Sequence, residues 1–217
     1  MNSTREDIFW DLIDVLDKSG FLRNIMVVGS WAEYLYANYF EDNFLPNIRT
    51  HDIDVYYINP FLEIDGAENL RWALRESGFV FYENPGAGSS FFKEGIEVEF
   101  LLSSFKGRGI YEMPLTGISA ESLDNMDMLC PMNIDVREYH LIVPTPASYI
   151  VHKLFINPNR RPETKRPKDI EAIRELLRFI KQNCQEQEAL RIHLAELPED
   201  KLLVIKQVAE SNGLDLP

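Results

Sequence analysis

The sequence is poor in cysteine, in basic charge and in long apolar runs. Two cysteines, Cys130 and Cys184, occur among 217 residues. They give no disulfide framework and fit a reducing interior, so the cytoplasm is the default expectation. No run of about 18 uncharged apolar residues occurs, and no membrane span or membrane partner is expected. The opening MNSTREDIFWDLIDVL is amphipathic and acidic rather than basic-then-apolar, unlike a secretory signal. No G-x-x-x-x-G-K-[ST] is present, which excludes a Walker loop. The four histidines include no pair at metal-ligand spacing.

What is present is acid. Lysine and arginine number 22 against 35 aspartates and glutamates, for a net charge of −13. Residues 1–149 hold 10 basic and 24 acidic residues, hence −14, whereas 150–217 hold 12 and 11, hence +1. Phosphates are repelled by such a body, so no long nucleic acid is expected as a partner. A site that gathers divalent cations is compatible with it. The remaining composition, 45% hydrophobic and 26% charged, is that of a globular chain able to bury a core.

Periodicity predicts a first amphipathic helix over 5–18, a short buried strand at 25–28 and a helix over 31–39. A second strand is expected at 52–58, a helix at 66–77, and strands at 79–82, 90–93 and 96–102. Glu94-Gly95 joins the last two as a hairpin. Residues 103–145 remain ambiguous. Beyond Pro146 the pattern turns helical, over 147–156, 168–183, 186–195 and 199–212. The expected fold is therefore α/β (α+β), a mixed sheet with flanking helices over 1–145, followed by a helical region over 146–217.

Three short stretches carry chemistry. In HDIDVYY, Asp52 and Asp54 project from one strand face while Ile53 and Val55 project from the other. Two carboxylates so close repel unless a cation lies between them, and Mg²⁺ takes oxygen ligands of this kind. In IEVEFL, Glu97 and Glu99 repeat the pattern. A third carboxylate from that strand would complete a two-cation site of the sort used for phosphoryl and nucleotidyl transfer. Glu99, deeper in the apolar run, is the first choice and Glu97 the reserve. Gly29-Ser30 ends an apolar strand before a helix, where free N–H groups and the helix dipole favour an anion. Read singly, each stretch is also compatible with an ordinary solvated strand or turn. Gly86-Ala87-Gly88-Ser89 precedes a strand and reads as a flexible loop. Tyr34, Tyr36, Tyr39 and Phe40 read as core, and His140, His152 and His193 as structural.

Taken together, VVGSW, RTHDIDV and IEVEFL resemble the nucleotidyltransferase superfamily that includes DNA polymerase β. Trp31 and the run Arg49-Thr50-His51-Asp52-Ile53-Asp54 look most like the bacterial aminoglycoside and lincosamide nucleotidyltransferases. The 21 residues between Ser30 and Asp52 exceed the usual gap and imply added length at 40–48. Lys153 in VHKLF and Lys168-Asp169 in RPKDIEAI resemble the AbiEii-type nucleotidyltransferases. This likeness implies that Lys153 and Lys168 contact phosphate and that Asp169 is a polar site residue. Gly29, Ser30 and Arg49 are implied on the nucleotide as well.

The expectation is an enzyme that uses Mg²⁺ (or Mn²⁺), held by Asp52, Asp54 and Glu99, to move an NMP group from an NTP to an acceptor hydroxyl. The acceptor is open: a small molecule, a protein side chain or an RNA end. Two rivals stand beside it. One is a nucleotide- or partner-binding module without transfer, such as a toxin–antitoxin component. The other is a D-x-D glycosyltransferase, which leaves Glu99 and Lys168-Asp169 without roles.

Overall fold

The computed structural model describes the chain except residues 1–2, 41–49, 63, 65–68, 85–87, 105–108 and 114–115. Two compact units emerge: Met1–Leu35 with Ile48–Asp127 and Pro131–Val143, and Tyr36–Asn47 with Met128–Cys130 and Pro144–Pro217.

The first unit is a mixed sheet with helices. Helix α1 (Arg5–Lys18) starts at Thr4, whose hydroxyl accepts from the Asp7 N–H while the Asp7 carboxylate accepts from the Thr4 N–H. This reciprocal cap satisfies two amides that the first turn leaves open. The helix buries Ile8, Phe9, Leu12, Val15 and Leu16, the stripe its periodicity predicts. Strand β1 (Ile25–Val27) is followed by helix α2 (Ser30–Tyr39) and strand β2 (Asp52–Tyr57). Helix α3 (Leu70–Glu76), capped by the Asn69 side chain, precedes strands β3 (Val80–Asn84), β4 (Gly88–Lys93) and β5 (Ile96–Ser103). Glu94 and Gly95 take positive φ at the turn between β4 and β5, as a two-residue hairpin requires.

The ambiguous stretch proves to be mostly strand: β6 (Gly109–Met113), β7 (Ile118–Leu123), β8 (Pro131–Val136) and β9 (Tyr139–Pro144). The main sheet runs β3-β4-β5-β2-β1-β9-β8, and β6 pairs with β7, which also pairs with β5. The Gly-Ala-Gly-Ser stretch is corrected in part. Gly88 and Ser89 belong to β4, where an added Cβ on Gly88 would lie 2.9 Å from the Ser119 carbonyl oxygen. Close strand packing, not loop freedom, explains that glycine. Gly86 and Ala87 lie outside the described residues.

The second unit is helical, with α4 (Pro146–Ile156), α5 (Lys165–Gln182), α6 (Cys184–Ala195) and α7 (Glu199–Ser211). The Thr145 hydroxyl caps α4 and Pro146 occupies its first turn. Every residue of α4 from Pro146 to Leu154 is buried, and α5, α6 and α7 all pack on it. An α/β sheet with flanking helices followed by a C-terminal helical region is thus the architecture found.

Candidate active site

Strand β2 alternates as the sequence suggests. Ile53 and Val55 are fully buried, while Asp52 and Asp54 are half-buried on the opposite face. Strand β5 does the same, with Val98 and Phe100 buried and Glu97 and Glu99 half-buried. The two strands run parallel in a register that pairs Asp52 with Glu97 and Asp54 with Glu99. Neighbouring strands lie about 4.8 Å apart, so four carboxylates form a two-by-two patch on one sheet face.

The electrostatic consequence falls on Glu99. Burial, followed by the negative charges of Asp54 and Glu97, raises its pKa to about 7; a hydrogen bond with Asp54 and the charge of Asp52 add to this. Near neutral pH the Glu99 carboxyl is therefore partly protonated and donates to Asp54.

The glycine turn meets this patch directly. Gly29 has φ +65°, and an added Cβ would lie 2.6 Å from Asp54 Oδ2. Only glycine permits both the backbone conformation and the approach of the carboxylate. The turn is fixed by the Val28 N–H donating to the Asp54 carbonyl at 3.1 Å. The Trp31 indole N–H donates to the Asp52 carbonyl at 3.1 Å, and its ring stacks on Phe9 with centroids 4.4 Å apart. Ser30 opens α2 at the same place. On the other flank the Asp52 N–H donates to the Thr50 hydroxyl at 3.2 Å, and the Glu97 N–H donates to the His51 carbonyl at 2.8 Å. The His51 ring is exposed, with Nε2 3.2 Å from an Arg5 guanidinium nitrogen. Arg49 lies outside the described residues.

The remaining candidates belong to the helical unit. Lys153, on α4, forms an ion pair with Asp169 at 2.6 Å, and both side chains are at least nine-tenths buried. Arg160 Nε reaches the other Asp169 oxygen at 3.2 Å. Lys168 is exposed in the first turn of α5. The basic run 160–168 is not a single patch: Arg160 turns to Asp169, whereas Arg161 and Arg166 turn to Glu163.

Arg160 as the second partner of Asp169, and Trp31 as the brace of the Asp52 backbone, were not legible as such. A basic residue nine positions before an acid carries no periodic signal, and an indole-to-carbonyl bond depends on the turn geometry. Among the described residues, no group of three histidine, cysteine, aspartate or glutamate side chains is already arranged to hold a metal ion. No helix among them is long and apolar enough to cross a membrane.

Comparison with known proteins adds identity to this geometry. A family model described as Nucleotidyltransferase matches residues 8–196. No curated protein matches significantly. Among solved structures, an antigenic nucleotidyltransferase-like protein from Paracoccidioides brasiliensis is 16% identical with a TM-score of 0.40, covering 90% of this chain and 92% of its own. ANT(2")-Ia in complex with adenylyl-2"-tobramycin is 12% identical with a TM-score of 0.48, covering 97% and 99%. A solution structure of the antibiotic-resistance factor ANT(2")-Ia is also 12% identical, with a TM-score of 0.44 and coverage of 98% and 95%. The family match spans most of the sequence, and on it the chain belongs to the nucleotidyltransferase family.

Proposed function

We propose that the protein is a metal-dependent nucleotidyltransferase that moves an NMP group from an NTP to an acceptor hydroxyl. The observation that carries this reading is the register of β2 and β5, which stacks Asp52 on Glu97 and Asp54 on Glu99 beside Gly29. Repulsion strong enough to lift Glu99 to about 7 is what a divalent cation would relieve, and all donors are carboxylate oxygens suited to Mg²⁺ or Mn²⁺. Asp52, Asp54 and Glu99 would hold it, with Glu97 in reserve. The cation supplies charge neutralisation on the reacting phosphate oxygens.

The chain's own residues supply the rest. Backbone N–H groups at Gly29-Ser30 and the start of α2 bind the triphosphate end. Glu99 accepts the proton of the attacking hydroxyl as its carboxylate, the form that a bound cation would favour. A bond forms between the acceptor oxygen and the α-phosphorus. The bond from that phosphorus to the bridging oxygen breaks, and pyrophosphate leaves with the electron pair. Arg49, Lys153, Lys168 and Asp169 join the nucleotide in this reading on resemblance alone. A cytoplasmic setting is part of the same reading.

The rival is a binding module without transfer. Thermal unfolding with each NTP, with and without Mg²⁺, separates the two. Ligand that binds only the native state raises the melting temperature. A Mg²⁺-dependent rise with one NTP, lost in Asp52→Asn/Asp54→Asn, is expected. A rise indifferent to Mg²⁺ and to both substitutions would favour the module.

A further inference from the structure

Strand β3 ends the main sheet, and among the described residues it pairs with β4 alone. The neighbouring hairpin fixes which of its backbone groups are already used. A two-residue turn at Glu94-Gly95 makes Lys93 and Ile96 a hydrogen-bonded pair, and such pairs alternate along an antiparallel ladder. Phe91 therefore bonds to Val98, while Ser90 and Phe92 turn their N–H and C=O groups toward β3. The Glu97 N–H fits this pattern, since it turns away from β4 and donates to the His51 carbonyl at 2.8 Å. One strand further out, Val80 and Tyr82 bond to Phe92 and Ser90. The N–H and C=O of Phe81 and Glu83 are then left pointing off the sheet. An open edge of this kind is a template for another strand.

The side chains do little to blunt this edge. The strand, VFYEN, contains neither lysine nor proline. On one face Val80 is 67% exposed and Tyr82 56%. On the other, the Arg71 guanidinium of α3 lies over the Phe81 ring, 3.6 Å from its centroid, and Glu83 is exposed two residues further along. A cation and an anion thus stand on the same face of one short edge. An open groove of about 510 Å³, lined by Arg75, Gly78, Phe79, Val80 and Phe81, follows the start of the strand.

We propose that β3 pairs antiparallel with β3 of a second copy of this chain, about a two-fold axis at Tyr82. Phe81 then stands opposite the partner's Glu83, and the two exchange both hydrogen bonds, so all the outward groups of both residues are satisfied. The partner's Glu83 comes beside the Phe81 ring and meets Arg71, and the same opposite-charge contact recurs across the axis. Tyr82 meets the partner's Tyr82 as a non-hydrogen-bonded pair, the closer kind, and the two exposed rings cover each other. Neighbouring two-fold registers are worse. Centring on Glu83 opposes like charges. Centring on Phe81 brings the two Arg71 groups together and sets Glu83 against Phe79, whose N–H already donates to the Leu74 carbonyl at 3.0 Å. A foreign strand would need its own acid at that one place, whereas a second copy supplies it. One sheet then continues through both copies, with both carboxylate faces on the same side.

Sedimentation equilibrium of the full chain over a concentration series is expected to show a monomer–dimer equilibrium. Arg71→Glu and Glu83→Arg should each raise the dissociation constant about ten-fold or more, since like charges then face each other on both sides of the axis. Arg71→Glu combined with Glu83→Arg should restore the dimer, a rescue that no folding defect imitates. Cross-linking under glutathione disulfide, in a Cys130→Ser/Cys184→Ser background, reads the register. Tyr82→Cys should give a covalent dimer, because the Cα atoms of such a facing pair lie about 4.5 Å apart, within disulfide reach. Glu83→Cys, which faces Phe81 instead, should not. A monomer at every concentration would leave the edge to some other strand and overturn the proposal. So would a dimer that charge reversal neither weakens nor rescues, or equal cross-linking of the two cysteine variants.

Discussion

The two charged clusters of this protein follow opposite plans. On β2 and β5, the charges that act on Glu99 are all negative, those of Asp54, Glu97 and Asp52, and they drive its pKa upward. In the helical unit, buried Asp169 lies between buried Lys153 and half-buried Arg160, and the charges offset one another. A like-charged patch works against folding, whereas a buried ion pair sets attraction against desolvation and leaves an uncompensated charge once one partner is removed. Clusters of the first kind gather at sites that act on ligands. The second kind is as consistent with holding helices in register as with touching substrate, so the two plans predict different mutant behaviour.

The largest expected effect is on activity alone. Asp54→Asn should lower nucleotidyl transfer by about 10³-fold or more without lowering the melting temperature, since it removes a charge that repels Glu99. A parallel fall in stability and activity would mean that Asp54 is structural. Asp169→Asn should do the reverse. It leaves Lys153 and Arg160 facing each other without their anion, at a cost of about 3–5 kcal/mol, or roughly 10 °C in melting temperature. Should Asp169→Asn abolish transfer yet melt like the wild type, Asp169 would belong with the nucleotide and the contrast would collapse.

The sequence carried one of these clusters far better than the other. Alternation in HDIDVYY and IEVEFL was enough to put Asp52, Asp54, Glu97 and Glu99 on polar strand faces, because a strand has a period of two. It could not supply the register between β2 and β5, which 38 intervening residues and α3 separate and which sets Asp54 beside Glu99. Residues 103–145 were opaque because β6 to β9 are short and differ in pattern: β8 alternates in burial, whereas β6 is exposed over most of its length. The Lys153–Asp169–Arg160 cluster joins two helices and a loop. No local periodicity encodes a contact of that kind.

The glycine turn sharpens the contrast from the backbone side. Gly29→Ala must place a Cβ 2.6 Å from Asp54 Oδ2 at a φ of +65°, at an expected cost of about 1–3 kcal/mol. In an Asp54→Ala background the steric part disappears while the φ part remains. The two substitutions should therefore be non-additive in chemical denaturation, with the double variant less destabilised than the sum. Strict additivity would show that Asp54 does not lie against the turn.

The smallest effect is a pair of opposed pH slopes, measured by denaturation with a chelator present. Glu99 is raised from an ordinary 4.5 to about 7. The folded protein thus holds its proton more tightly than the unfolded chain does. That contribution is complete below about pH 4.5 and is lost as pH rises through 7. His152 is the reverse: burial first, then the positive charges of Lys153, Arg160 and Lys201, push it from 6.5 down to about 3. The unfolded chain takes up the proton first, so this contribution is complete above pH 6.5 and is lost as pH falls toward 3. Its slope is at most about 1.4 kcal/mol per pH unit. Between pH 5 and 6.5 the two oppose each other, and the wild type should show a shallower dependence than either variant. Glu99→Gln removes the loss on the alkaline side and leaves the acid-side slope of His152 bare. His152→Asn removes the acid-side slope and leaves that of Glu99. A wild-type slope unchanged by both substitutions would mean that neither cluster carries the charge environment described for it. Loss of the Glu99 slope in wild type on adding Mg²⁺ would show that the acid face takes up a cation.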